Sequence, residues 1–161
     1  MNLGNWNFKL RNYKSGFTLI ELLIVIAIIG ILSSVVLSSL SNSRNKAYDA
    51  KVKQQLNGFR RAAELYYSNQ NPNSYGPSTL TGSCTVAGTI FTDVSTANGN
   101  PNAYLIFTGM NPAPTVVCNS NGTAYAVQSN LKVGTNNYWC VDSKNNAVIK
   151  TVALGANTVC Q

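Results

Sequence analysis

The chain has 161 residues and a formal charge of +7, but no histidine. That length leaves room for about one domain beyond any membrane segment, and the missing histidine removes Ser-His and Cys-His nucleophile pairs, the commonest general base and most zinc-ligand sets. The carboxylates are Glu21, Asp49, Glu64, Asp93 and Asp142, so an acid–base pair in the C-terminal half has only Asp93 and Asp142 to draw on, and both read more simply as turn residues; no enzyme, metal or cofactor is expected.

Residues 1–16 are polar, and Lys9, Arg11 and Lys14 face no acid among them. From Phe17 the chain is apolar apart from Glu21, and residues 22–43 carry no charge. As a helix rising about 1.5 Å per residue they span roughly 33 Å, close to the hydrocarbon thickness of a bilayer. The basic residues ahead of this run orient it with the C-terminus outward. A carboxylate in such a segment costs on the order of 2.5–3.5 kcal/mol on insertion scales and is seldom placed there without a partner. An ordinary secretory signal would be cut after its apolar core and lost. Small residues do follow at Ser38, Ser39 and Ser41, yet the helical pattern runs straight past them.

Val52, Leu56, Phe59, Ala63 and Tyr66 recur at steps of four and three, while Lys51, Lys53, Arg60 and Arg61 occupy other angles. No proline falls between Phe17 and Asn71. The pattern therefore predicts one helix, hydrophobic over residues 17–43 and amphipathic over 44–71, ended by the Asn71-Pro72 pair. The basic face, with Lys51, Lys53, Arg60 and Arg61 as candidate contacts, has the charge to bind DNA or anionic phospholipid; a solvated or inter-subunit helix face is the plainer reading.

Residues 72–161 change to short β-prone runs at 103–108, 115–118, 123–129, 138–142 and 147–152, separated by Gly, Asn and Pro. Gly76-Pro77 and Gly82 mark a loop. Asn121-Gly122 favours a tight hairpin turn and Ser143-Lys144-Asn145-Asn146 a second. Asn121-Gly122-Thr123 also matches a glycosylation sequon, although the turn already explains Asn-Gly. A sheet packed on the apolar helix face makes an α+β domain. Cys84, Cys118, Cys140 and Cys160 all follow the membrane segment, which fits two disulfides in a head outside the cytoplasm, with three connectivities open.

Gly16-Phe17-Thr18-Leu19-Ile20-Glu21, followed by the apolar run to Leu32, resembles the prepilin processing signature of type IV pilins and pseudopilins. The resemblance covers about the first thirty residues after Gly16 and is architectural beyond them. It implies a leader at residues 1–16, cleavage between Gly16 and Phe17 by a membrane prepilin peptidase, N-methylation of Phe17 and an assembly role for Phe17 and Glu21. When subunits pack with a stagger, Glu21 of one helix can pair with the Phe17 amine of a neighbour and so select register. The implied protein waits in the cytoplasmic membrane among lipid. Assembly machinery then polymerises it into a surface filament for adhesion, motility or DNA uptake. Two features depart from the family. Ser38 stands where many pilins carry a helix proline, and the usual cysteine pair is extended to four, for which the sequential pairing Cys84–Cys118 and Cys140–Cys160 is expected. The alternatives are a pseudopilin of a type II secretion or competence machine, and a membrane-anchored DNA- or ligand-binding domain that never polymerises.

Overall fold

A computed structural model describes residues 16–161; the leader expected over residues 1–16, including Lys9, Arg11 and Lys14, lies outside the described residues except for Gly16. Helix α1 spans Leu19–Asn69. Five strands follow: β1 Thr79–Gly82, β2 Val116–Ser120, β3 Tyr125–Asn130, β4 Tyr138–Asp142 and β5 Ala147–Lys150. They form one antiparallel sheet in the order β1-β2-β3-β4-β5, so every strand pairs with its sequence neighbour. This is the α+β class that the sequence implies. The chain divides into two compact units, one ending at Leu40 and the other Ser41–Gln161.

In the first unit α1 is apolar on every side, and all of residues 16–44 are exposed. A helix with no polar face belongs in a membrane or in a bundle of like helices. It is long and apolar enough to cross a bilayer. Helix continues through Ser38 without a break.

In the second unit the helix turns one face to the sheet. Val52, Leu56, Phe59, Ala63 and Tyr66 are all buried there, matching the four-three spacing of the sequence. Phe59 is the centre of the core: its ring stacks on Phe91 at 5.9 Å and meets the edge of Tyr125 at 5.5 Å. Cys118, Val127 and Val141 occupy one register line and supply the sheet side of this core. A Cβ at Gly58 would run into the Tyr104 ring, so only glycine allows that approach. Asp49 is also buried; its carboxylate accepts the backbone N–H groups of Lys132 at 2.7 Å and Val133 at 3.0 Å and ties the β3–β4 connection to α1.

The opposite sheet face carries Asn119, Gln128 and Asp142, all buried under the C-terminal segment. Asn119 Nδ2 donates to the carbonyls of Gly155 at 2.7 Å and Asn157 at 2.8 Å. Gln128 bonds both the Val152 carbonyl and the Leu154 N–H, and Asp142 accepts the Cys160 N–H at 2.7 Å. These side chains stand in for a strand, saturating backbone groups that burial would otherwise leave unpaired. Disulfides join Cys84 to Cys118 and Cys140 to Cys160, the second holding the tail against β4.

Two sequence expectations are corrected. Residues 103–108 are not a strand: Asn100, in the left-handed region at φ 47°, caps a short 3-10 helix at Pro101–Tyr104, whose proline fixes a turn-compatible φ and donates no ladder bond. Residues 79–82, taken as loop, form β1 against β2, because pairing with an existing edge outweighs the weak strand preference of Gly82. The turn at 143–146 forms where expected, with Asn145 at φ 68°.

Candidate processing and assembly site

Gly16, Phe17 and Thr18 precede the helix in irregular, exposed backbone. Nothing lies within 4 Å of the position a Cβ on Gly16 would take, and the Phe17 side chain is 92% exposed. The peptide bond between them is therefore in exposed, non-helical chain.

Immediately after it the helix is started by a reciprocal cap. The Thr18 N–H donates to Glu21 Oε2 at 2.8 Å, and the Thr18 hydroxyl donates to the same oxygen at 2.7 Å. Glu21 N–H donates back to Thr18 Oγ1 at 3.3 Å, and Leu22 N–H reaches the Thr18 carbonyl at 3.3 Å. Thr at the N-cap with Glu three residues on is a capping box, which satisfies donors that a helix start leaves free. The negative carboxylate also faces the positive end of the helix dipole. Thr18 was missed as a site residue although Thr-x-x-Glu ahead of an apolar run is a sequence signal for it. Glu21 Oε2 takes both Thr18 bonds, while Oε1 has no partner among the described residues. In this chain the Phe17 nitrogen is a peptide nitrogen and carries no charge for Glu21 to pair with.

The basic residues proposed as a nucleic-acid face are spread around α1 and engaged with the head. Lys51 Nζ donates to the Thr108 carbonyl at 2.8 Å, Lys53 Nζ lies 5.1 Å from the centre of the Trp139 ring, and Arg60 donates to the Asn145 carbonyl at 3.1 Å. Arg61 lines an open cavity of about 440 Å³ with Lys51, Gln54, Gln55 and Tyr104, and a second cavity with Arg60 and Glu64. Glu64 in turn accepts the Tyr75 hydroxyl at 3.0 Å. Burial, reinforced by Glu64, pushes the Tyr75 phenol well above its usual range, and burial does the same to Tyr125.

A family model described as a prokaryotic N-terminal methylation motif matches residues 11–37. The chain is 38% identical over 103 residues to the type IV wide pilus major component PilA4 of Thermus thermophilus, covering 62% of this chain and 76% of that relative. It is 36% identical over 61 residues to the type II secretion system core protein G of Aeromonas hydrophila and 38% identical over 56 residues to the same component of Klebsiella michiganensis, spanning 43% and 39% of those relatives. No solved structure matches the chain significantly. With a helix start capped by Thr18 and Glu21 and otherwise apolar, a methylation motif upon it and a relative aligned over most of its length, the chain belongs to the type IV pilin family, which includes the pseudopilins.

Proposed function

We propose that the chain is a structural subunit of a type IV pilus, and that its work is assembly rather than catalysis. Residues 1–16 are a leader removed between Gly16 and Phe17 by a prepilin peptidase, which also N-methylates Phe17. Residues 17–43 then anchor the subunit in the cytoplasmic membrane, with residues 44–71 and the disulfide-bonded head at 72–161 outside it. The assembly machinery draws the helix into a filament core, where the freed Phe17 amine of one subunit pairs with Glu21 of the next. The observation that carries this reading is the juxtaposition of an open Gly16–Phe17 bond, a carboxylate one helical turn beyond it and an apolar helix exposed on all sides.

A buried carboxylate without a partner is strongly unfavourable in low dielectric, so the pair rewards only the register that brings amine and acid together. A pseudopilin is the second reading, favoured by the two secretion-system relatives. It shares every step up to polymerisation and differs in the length and site of the polymer. A non-polymerising anchored domain would leave Glu21 with no intermolecular task. DNA contact through Lys51, Lys53, Arg60 and Arg61 would be a role added to assembly, and the contacts that Lys51, Lys53 and Arg60 make within the head count against it. The test is electron microscopy of the sheared surface fraction together with N-terminal mass mapping of its subunit. Filaments whose subunit starts at N-methylated Phe17 are expected; a subunit starting near Asn42 would overturn the reading.

A further inference from the structure

The β2–β3 hairpin carries a motif that neither filament assembly nor core packing uses. Asn121-Gly122-Thr123 is the only Asn-x-Ser/Thr triplet without an intervening proline in the chain. Asn121 and Thr123 are both exposed at the hairpin tip. The turn holds them in a defined arrangement. Asn121 Oδ1 accepts the Thr123 N–H at 3.2 Å, the Thr123 hydroxyl at 3.2 Å and the Ala124 N–H at 2.7 Å. All three donors converge on the oxygen end of the amide. Nδ2 has no partner among the described residues, so the nitrogen end is left free in solvent beside the threonine hydroxyl.

The rest of the turn keeps this arrangement in place. Gly122 adopts φ 85°, a conformation costly for side chains with a Cβ. Its carbonyl accepts the Tyr75 N–H at 2.7 Å and the Ser74 hydroxyl at 3.2 Å. The tip is thus tied to the body of the head through the middle residue, while the side chains on either side project outward. A hairpin turn alone accounts for Asn-Gly. It does not require a threonine whose hydroxyl returns to the asparagine, since the Thr123 and Ala124 N–H groups already satisfy the Asn121 oxygen.

We propose that Asn121 is an N-glycosylation site, the acceptor being its Nδ2 and the donor a lipid-pyrophosphate-linked oligosaccharide used by a membrane oligosaccharyltransferase. In the transfer, Nδ2 forms a bond to the anomeric carbon of the sugar while the bond from that carbon to the pyrophosphate oxygen breaks. The amide proton passes to a base of the transferase and the lipid pyrophosphate leaves with the bonding electrons. The Thr123 hydroxyl is the recognition group beside the acceptor. The proposal rests on the outward orientation of the head in the reading above, because such donors present their sugar outside the cytoplasm.

The test is intact-mass and electron-transfer fragment analysis of the full mature subunit, purified from the source cells. A glycan mass is expected on Asn121. It should be lost in Asn121→Asp, which keeps an oxygen for the turn donors but has no amide nitrogen, and in Thr123→Val; it should persist in Thr123→Ser. A bare Asn121 in the native subunit overturns the proposal, as does a sugar confined to serine or threonine. Retention of the Asn121 glycan in Thr123→Val overturns the role given to the hydroxyl. The subunit's N-terminal mass, read in the same spectra, reports separately on processing at Phe17.

Discussion

Replacing Glu21 with glutamine separates the observed helix cap from the intermolecular pairing proposed above. An amide oxygen still accepts the Thr18 N–H, so the helix cap largely survives, but the negative charge is gone and the neighbour's Phe17 amine has no counter-ion. Breaking a buried pair by removing one partner costs about 3–5 kcal/mol. At about 1.4 kcal/mol per tenfold, subunit addition should weaken by a factor between about 100 and a few thousand. Thr18→Val is the complementary change. It removes the hydroxyl that bonds Glu21 at 2.7 Å and leaves the carboxylate in place. Loss of an N-cap costs about 1 kcal/mol, hence about a fivefold effect. The assay is the ratio of sheared filament to membrane-resident subunit by quantitative immunoblot, with N-terminal mass confirming that Gly16–Phe17 is cut in both variants. A Glu21→Gln ratio within fivefold of the parent would refute the pairing. A Thr18→Val defect as deep as that of Glu21→Gln would show that the cap, and not the charge, is what assembly requires.

Asp49→Ala removes the carboxylate that binds Lys132 and Val133 and leaves two backbone N–H groups in a largely buried site without an acceptor, a loss of about 3 kcal/mol. With an unfolding entropy of about 2.1 cal/mol/K per residue over the second unit, its melting temperature should fall by about 12 °C by near-ultraviolet circular dichroism, and a shift below 3 °C would contradict the role. Alkali should also destabilise the head. Burial holds the Tyr125 phenol protonated where the unfolded chain ionises, so stability is intact below about pH 10 and declines above it by up to about 1.4 kcal/mol per pH unit. Tyr125→Phe should lessen that decline, leaving the share that Tyr75 contributes, without loss at neutral pH, because the Tyr125 hydroxyl has no partner among the described residues. An unchanged alkaline slope would count against it.

Much of the fold was legible because it rests on period and punctuation. The buried stripe from Val52 to Tyr66 follows directly from helical spacing, and β4 begins and ends where Tyr138 and Asp142 suggested. Residues 103–108 misled because Tyr104, Leu105, Ile106 and Phe107 have strand-like composition, while the backbone there is set by Asn100, Pro101 and the left-handed Phe107. The capping box is legible in the Thr18-Leu19-Ile20-Glu21 spacing, where the same acid is both a membrane-segment charge and the third residue after the cap. Asp142 was legible as a turn residue, and its carboxylate accepts the Lys144 and Asn146 N–H groups, but nothing in sequence showed that it also holds Cys160. Asp49 carried no signal: a lone acid looks the same in sequence whether it is solvated or wrapped around backbone N–H groups.

By itself the sequence determined the long helix, its division into a wholly apolar and a one-faced half, and the Gly16-Phe17-Thr18-Leu19-Ile20-Glu21 start. These are local properties, fixed by residue type and spacing along one chain. Only the tertiary structure decided what the scattered polar residues do. Asn119, Gln128 and Asp142 lie far apart in sequence yet share one sheet face, because antiparallel register alternates side chains between faces and sets neighbours on adjacent strands. There they hold down the tail that Cys160 anchors, a task that exists only once the strands are paired and the tail has crossed them.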